Sequence, residues 1–325
     1  MINIGVIGAG GIGAIHLKHL GKHPDVKVAA ICDTNRTLSE AQATACGAAS
    51  YTDALEMLDK EKLDAVYVCI PPFCHGDLEE TAAAKGVHLM VEKPLGLDME
   101  TVRRKAESIA KSGIIAASGY CLRYMDTVAI AKRYLSDKKI AMIRAHYLTV
   151  PVNTPWWRKK ELSGGQLVEQ STHILDLVRY LGGEIVRLYA DMGLLVMDDI
   201  PDLDIPDVGM IQFTLDNGAF GHMQTGFIEF DHRTGIELMG RDFRLTLDGT
   251  TLTIAEPDKE TIYRSKTHFY QRETEAFVRA IQRNDSSLIL SSYEDGMKTL
   301  EVTLAANASA ASGQPVQLGR DAKTP

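Results

Sequence analysis

The chain is poor in the residues that staple small secreted domains together. Its five cysteines are odd in number and contain no C-x-x-C pair, which excludes a disulfide framework and a zinc set, so no metal site is expected. A reducing, cytoplasmic setting fits that usage. Cys32, Cys69 and Cys121 lie in or beside apolar runs and read as small buried residues. Clustered basic residues are also missing. With 35 Lys and Arg against 43 Asp and Glu the formal net charge is -8, which argues against nucleic acid or an anionic membrane as main partner. Arg103-Arg104-Lys105 reads as a solvated helix face. No apolar run is long enough to cross a bilayer, and residues 1–20, though apolar, lack the basic leader and cleavage site of a signal peptide.

What is present is an ordinary globular composition, 45% hydrophobic and 24% charged over 325 residues, which is length for about two domains, each with its own core. The most informative stretch comes first. Residues 4–7 are an apolar run fit for a buried strand, and Gly8-Ala9-Gly10-Gly11-Ile12-Gly13 follows, opening a helix over 12–20. Gly8 permits a tight turn, Gly10 lets backbone approach a pyrophosphate, and Gly13 lets the helix lie close to the strand. The helix N-terminus, with about half a positive charge, then points N–H groups at phosphates. Gly11 and Ile12 belong to the same loop.

Asp33 stands 20 residues after Gly13, at the end of a second apolar run, Val26–Cys32. A carboxylate there suits the ribose hydroxyls of adenosine and favours NAD, because a 2′-phosphate at contact distance would be repelled by about 4 kcal/mol at an effective dielectric near 20. Arg36 complicates this: its guanidinium could cover the adenine or answer a 2′-phosphate, which leaves NADP open.

Strand and helix patterns alternate as far as residue 118, with further strands at 65–70, 87–91 and 114–118 and helices at 37–46, 53–60, 76–85 and 99–112. Such alternation specifies a doubly wound parallel sheet, an α/β fold in which ligands bind at the carboxyl edge of the strands. The third strand ends at that edge in Ile70-Pro71-Pro72 and His75, and the fourth in Glu92-Lys93-Pro94. A boundary near 119–120 divides a first domain, 1–120, from a second, 121–325. The second domain reads as α+β with a large, open, mostly antiparallel sheet. Asp216-Asn217-Gly218 and Asp248-Gly249 mark hairpins, Phe269–Arg283 and Tyr293–Ser312 mark helices, 200–206 is a loop, and the tail after Leu318 is frayed.

Within the second domain, Ser163-Gly164-Gly165-Gln166 has the form of a capping box that starts a helix running to Leu181. Glu169, His173 and Asp176 fall at i, i+4 and i+7, so three ionisable groups share one face. Trp156, Trp157 and Arg158 precede this helix and could close over a substrate, the rings stacking on a sugar face and the arginine gripping oxygen. Tyr120, Arg123 and Tyr124 follow the domain boundary and stand between substrate contact and hinge packing.

GAGGIGAIH, Pro71-Pro72 with His75, Glu92-Lys93-Pro94, Trp157-Arg158 and the GGxLxxxxxHxxD-like run ending at His173 and Asp176 occur in an order that resembles the Gfo/Idh/MocA family over essentially the whole length. The resemblance implies a Rossmann NAD(P)-binding domain and an open-faced substrate domain through which members associate as homodimers or homotetramers. It implies Lys93 and His173 at the nicotinamide edge, and hydride transfer with a secondary alcohol or ketone of a sugar, cyclitol or related polyol. On that account His173 takes the hydroxyl proton, a role for an imidazole that ordinarily titrates at about pH 6.5, and Lys93 steadies the charge growing on oxygen. Three positions depart from the family pattern: Gln166 replaces a glycine, Ser171 replaces a glycine, and Glu169 replaces an aspartate. Glu169 reaches one methylene further and could still touch a hydroxyl or orient His173. Two other readings stay open: an enzyme that retains its NAD and uses transient oxidation for isomerisation, elimination or transfer, and a non-catalytic NAD-binding regulator.

Overall fold

The amino-terminal apolar run forms β1 (Ile2–Ile7), buried almost throughout because it is central in its sheet. A computed structural model describes residues 1–319 of the chain; from Arg320 on, the tail read as frayed lies outside the described residues. After β1 come α1 (Gly11–Leu20), β2 (Val26–Cys32), α2 (Arg36–Cys46), β3 (Ala49–Tyr51), α3 (Ala54–Lys60), β4 (Ala65–Val68), α4 (Leu78–Ala84), β5 (His88–Val91), α5 (Met99–Ser112) and β6 (Ala116–Ser118). The six strands are parallel in the order β3-β2-β1-β4-β5-β6. Local chemistry sets the helix ends. Asn35, Asp53 and Asp98 accept the N–H of Leu38, Glu56 and Thr101 at the starts of α2, α3 and α5, and left-handed Gly47 and Gly113 stop α2 and α5.

The chain continues with α6 (Asp126–Tyr134), β7 (Ile140–Leu148), α7 (Lys160–Ser163), a π-helical turn (Leu167–Ser171), α8 (Thr172–Gly182) and strands β8 (Ile185–Gly193), β9 (Val208–Leu215), β10 (Phe220–Gly226), β11 (Arg233–Gly240), β12 (Phe243–Asp248), β13 (Thr251–Glu256) and β14 (Lys259–Arg264). Then come α9 (Phe269–Arg283), α10 (Tyr293–Ser312) and β15 (Val316–Gln317). The second sheet has nine strands among the described residues, β14-β13-β12-β11-β7-β10-β9-β8-β15, and only β7 with β10 is parallel. Both expected hairpins form, with Gly218 and Gly249 at positive φ in their turns.

Two packing units emerge, Met1–Tyr124 with His268–Met297, and Met125–Thr267 with the described residues from Lys298. The sequence places everything after residue 120 in one domain; the structure returns α9 to the first unit. Phe277, Val278 and Ala280 of α9 share a core with Val6, Tyr67 and Met90, and Phe277 meets the Tyr67 ring edge-on at 5.6 Å. Burying one such ring contributes about 1.5–3 kcal/mol. In the second unit the strands alternate: Ile143, Ala145, Ile211, Phe213 and Met223 are buried, while Met142, Met210 and Phe220 stand exposed on the other face.

Candidate functional site

Four strands of the parallel sheet pass their next amide to the last carbonyl of a neighbour: Gly8 to Cys32, Cys69 to Ile7, Glu92 to Val68 and Gly119 to Val91, at 2.7–2.9 Å. This ladder aligns the glycine turn, the Ile70-Pro71-Pro72 turn and Glu92-Lys93 along one carboxyl edge of the first unit. The glycine turn is built as its spacing requires. Gly8 has φ +90°, and a Cβ there would lie 2.3 Å from the Cys69 carbonyl oxygen; a Cβ on Gly13 would lie 1.8 Å from the Gly8 oxygen. Only glycine lets α1 come this close to β1. The N-cap of α1, Gly10, contributes no side-chain hydrogen bond, so the first-turn amides from Gly11, Ile12 and Gly13 are left to a ligand.

Asp33 is half-buried and accepts the N–H of Ala9 on Oδ2 and of Asn35 on Oδ1, both at 2.8 Å. It therefore fastens the glycine turn to β2, and each oxygen keeps a further lone pair for a ribose hydroxyl. Arg36 opens α2 with an exposed side chain 3.9 Å from Glu40. Burial, with Asp53 and Asp33 nearby, pushes the Cys32 thiol up to about 12, which leaves it an inert packing residue. The uncapped helix start, the glycine contacts and the ribose-facing carboxylate together fit a dinucleotide.

His75 is engaged on both ring nitrogens, Nδ1 at 2.6 Å from Glu79 and Nε2 at 3.3 Å from the Ile70 carbonyl oxygen. Glu79 also receives the Lys105 ammonium at 2.8 Å, and all three side chains are buried. Burial alone would push the Glu79 carboxyl up, but His75 and Lys105 outweigh it and hold it below the ordinary range. His75 thus acts on the ligand edge by fixing the Ile70-Pro71-Pro72 turn.

Glu92 is buried, with His16 Nε2 2.7 Å from its Oε1 and the Lys93 N–H 3.2 Å from its Oε2. The Lys93–Pro94 bond is cis. Gly119 lies flat against the same carboxylate, where a Cβ would come within 2.6 Å of Oε2. His16 is wedged between Tyr67, ring centroids 5.0 Å apart, and Tyr270, 5.4 Å. Sequence reasoning missed His16; the signal was its place in the buried stripe Gly13, His16, Leu17, Leu20 of α1. It also missed Glu273 of α9, fully buried with no hydrogen-bond partner for either oxygen among the described residues. Burial and the nearby Glu92 push its carboxyl well up, which favours the protonated form.

In the second unit the capping box does not form. Ser163 ends α7 instead, donating to the Lys159 carbonyl and accepting the Gly165 N–H, because Gly164 and Gly165 take φ +73° and +88° and break the helix. Gln166 is drawn to β10, where its Nε2 donates to the Gly226 carbonyl at 2.8 Å. Glu169 and His173 then straddle the π-helical turn and the start of α8, both half-buried. Asp176 does not share their exposure: it is 1% exposed and accepts from Thr299 at 2.8 Å beside Arg179.

The remaining substrate candidates are more enclosed than their polarity suggests. Tyr120 is buried, and Arg123 donates to the Leu290 carbonyl at 2.7 Å and pairs with Asp295 at 2.5 Å. Trp157 packs with Ile205 and Phe227, and Arg158 is half-buried with its carbonyl accepting the Asp204 N–H. No helix among the described residues is long and apolar enough to cross a membrane.

Residues 2–120 match the GFO_IDH_MocA description, an oxidoreductase family with an NAD-binding Rossmann fold, and residues 138–255 match a GFO/IDH/MocA C-terminal domain. The chain is 26% identical to a myo-inositol 2-dehydrogenase of Thermotoga maritima, covering 98% of each. It is 28% identical to a scyllo-inositol 2-dehydrogenase (NAD(+)) of Bacillus subtilis, covering 98% of this chain and 96% of that one. Its fold matches that of a levoglucosan dehydrogenase in complex with NADH and levoglucosan, with TM-score 0.88 and 21% identity over 98% and 99% of the two chains.

Proposed function

This chain belongs to the Gfo/Idh/MocA oxidoreductases, with an NAD-binding Rossmann domain, and we propose that it moves a hydride between NAD and a secondary alcohol or ketone of a sugar, cyclitol or related polyol. The observation that carries the reading is the glycine turn fastened to Asp33 at the uncapped start of α1. The inositol dehydrogenases that resemble the chain over its whole length support the substrate class.

In this reading Gly8, Gly10, Gly11, Ile12 and Gly13 receive the pyrophosphate, Asp33 the adenosine ribose, and Arg36 the adenine. Ile70, Pro71 and Pro72, braced by His75, and Glu92 complete the dinucleotide edge. NAD, when bound, supplies the hydride acceptor. His173 takes the proton of the hydroxyl being oxidised and returns it in the reverse direction. Lys93 holds that oxygen and stabilises its growing negative charge, and Glu169 contacts a substrate hydroxyl or orients the imidazole. Tyr120, Arg123, Trp157 and Arg158 are proposed to frame the substrate, the buried ones by supporting the loops that touch it. The exposed Met142, Met210 and Phe220 on the open sheet support a homodimer or homotetramer formed through that face, and five unpaired cysteines support a cytoplasmic setting.

The test is a screen of purified protein with NAD and NADP against inositols, aldoses, sugar acids and amino sugars, reading near-ultraviolet absorbance. Turnover with a polyol that falls by about 100-fold or more in Lys93→Met and His173→Asn, with NAD affinity little changed, is the expected result. Product formation without any absorbance change would replace it with the retained-cofactor reading.

A further inference from the structure

Gln166, Ser171 and Thr225 meet in one hydrogen-bonded unit beneath the second sheet. Thr225 Oγ1 donates to Gln166 Oε1 at 2.5 Å, and Ser171 Oγ lies 2.5 Å from Thr225 Oγ1. A threonine hydroxyl has one proton. Since Thr225 gives it to Gln166, the Ser171 hydroxyl must be the donor of the second bond, and the chain runs Ser171 to Thr225 to Gln166. Gln166 ends it by donating to the Gly226 carbonyl at 2.8 Å. All three side chains are at most 5% exposed, where hydrogen bonds order geometry strongly because no water competes.

The placement gives this unit its meaning. Thr225 belongs to β10, held between β7 and β9 by its register with Tyr147 and Gly209. Gln166 and Ser171 bracket the π-helical turn Leu167–Ser171 that carries Glu169 and leads directly to His173. A π turn is rare and occurs mostly as a single turn, frequently at functional sites. One threonine answers both brackets.

We propose that Gln166, Thr225 and Ser171 are positioning residues, a polar clamp that ties the turn to the sheet and so sets where Glu169 and His173 stand. The inference rests on the catalytic reading of His173 only for its consequence in turnover. Its geometry can be tested without a substrate.

Thr225→Val keeps the shape and removes both bonds; Gln166→Met removes the acceptor and keeps the Ser171 bond. In NAD-saturated protein with labelled histidine, the His173 ring resonance, assigned by its loss in His173→Gln, is expected to move by more than its line width in both variants. It should return in Thr225→Ser, while the NAD dissociation constant stays within about twofold. With myo-inositol or scyllo-inositol as substrate, kcat should fall by about tenfold in Thr225→Val with KM for NAD unchanged. An unmoved His173 resonance in the folded variants, or NAD affinity lost in step with it, overturns the clamp. Normal turnover in His173→Gln would overturn the catalytic reading instead and leave the resonance result standing.

Discussion

His16 Nε2 and Glu92 Oε1 stand 2.7 Å apart with both side chains buried, so the helix that starts at the glycine turn is bonded to the residue preceding Lys93. With the imidazole proton on Nε2, His16 donates this bond to Glu92. Replacing His16 by Ala leaves the buried Glu92 side chain short of a partner, beside the equally buried Glu273. Stability should fall by about 1–3 kcal/mol in urea denaturation, and kcat should fall with it, because the same carboxylate accepts the Lys93 N–H. His16→Gln, which keeps a donor, should recover part of both; a variant as stable as the parent would show the pair to be idle.

Asp33 joins cofactor choice to loop geometry. Asp33→Ser removes the like-charge repulsion that a 2′-phosphate would meet, about 4 kcal/mol at an effective dielectric near 20. The ratio of kcat/KM for NADP over NAD should rise by about 100-fold or more. NAD itself should bind more weakly, since the Ala9 amide loses its acceptor. An unchanged cofactor ratio in steady-state kinetics would mean that another group discriminates.

Glu273 ties stability to the acid side. Its carboxyl is raised by burial and by Glu92, so the unfolded chain releases this proton at a lower pH than the folded one does. The associated stability is fully present below the ordinary carboxylate range and declines as pH rises toward the folded value, by up to about 1.4 kcal/mol per pH unit. Glu273→Gln cannot ionise. Its melting temperature, relative to the parent, should therefore climb between pH 5 and pH 8, and a parallel pair of curves would contradict the assignment.

Glu79 has the opposite sign. His75 and Lys105 hold its carboxyl below the ordinary range despite its burial, so its contribution is present above the unfolded value and lost as pH falls through the folded one. Lys105→Met should cost about 3–5 kcal/mol near pH 7, the usual result of breaking a buried pair. The gap between variant and parent should narrow on acidification, as followed by thermal melts across an acid series.

Where a residue's role is local, the sequence announced it. Gly8 and Gly13 are needed by atoms within a few residues or in the adjoining strand, and both hairpin turns are fixed by Gly218 and Gly249. Roles that depend on distant partners stayed hidden. The apolar stripe of α9 shows that it is buried but not beside which strands, and it packs with β1 and β4, over 200 residues earlier in the chain. Ser163 and Gln166 have the spacing of a cap, yet Gln166 binds Thr225 and Gly226, some 60 residues downstream. Asp176 keeps its place three residues after His173 on α8, and it is Glu169 that the π turn shifts; what the spacing hid is that Asp176 is buried against Thr299.

Gly119 has no side chain to offer chemistry, yet its bare Cα is one wall of the Glu92 carboxylate's seat. A single methyl group there would shove the carboxylate sideways, straining the His16 contact and the backbone ahead of Lys93 together. The position is a steric keystone: mutational libraries that leave every titrating residue intact should still return almost nothing but glycine at it.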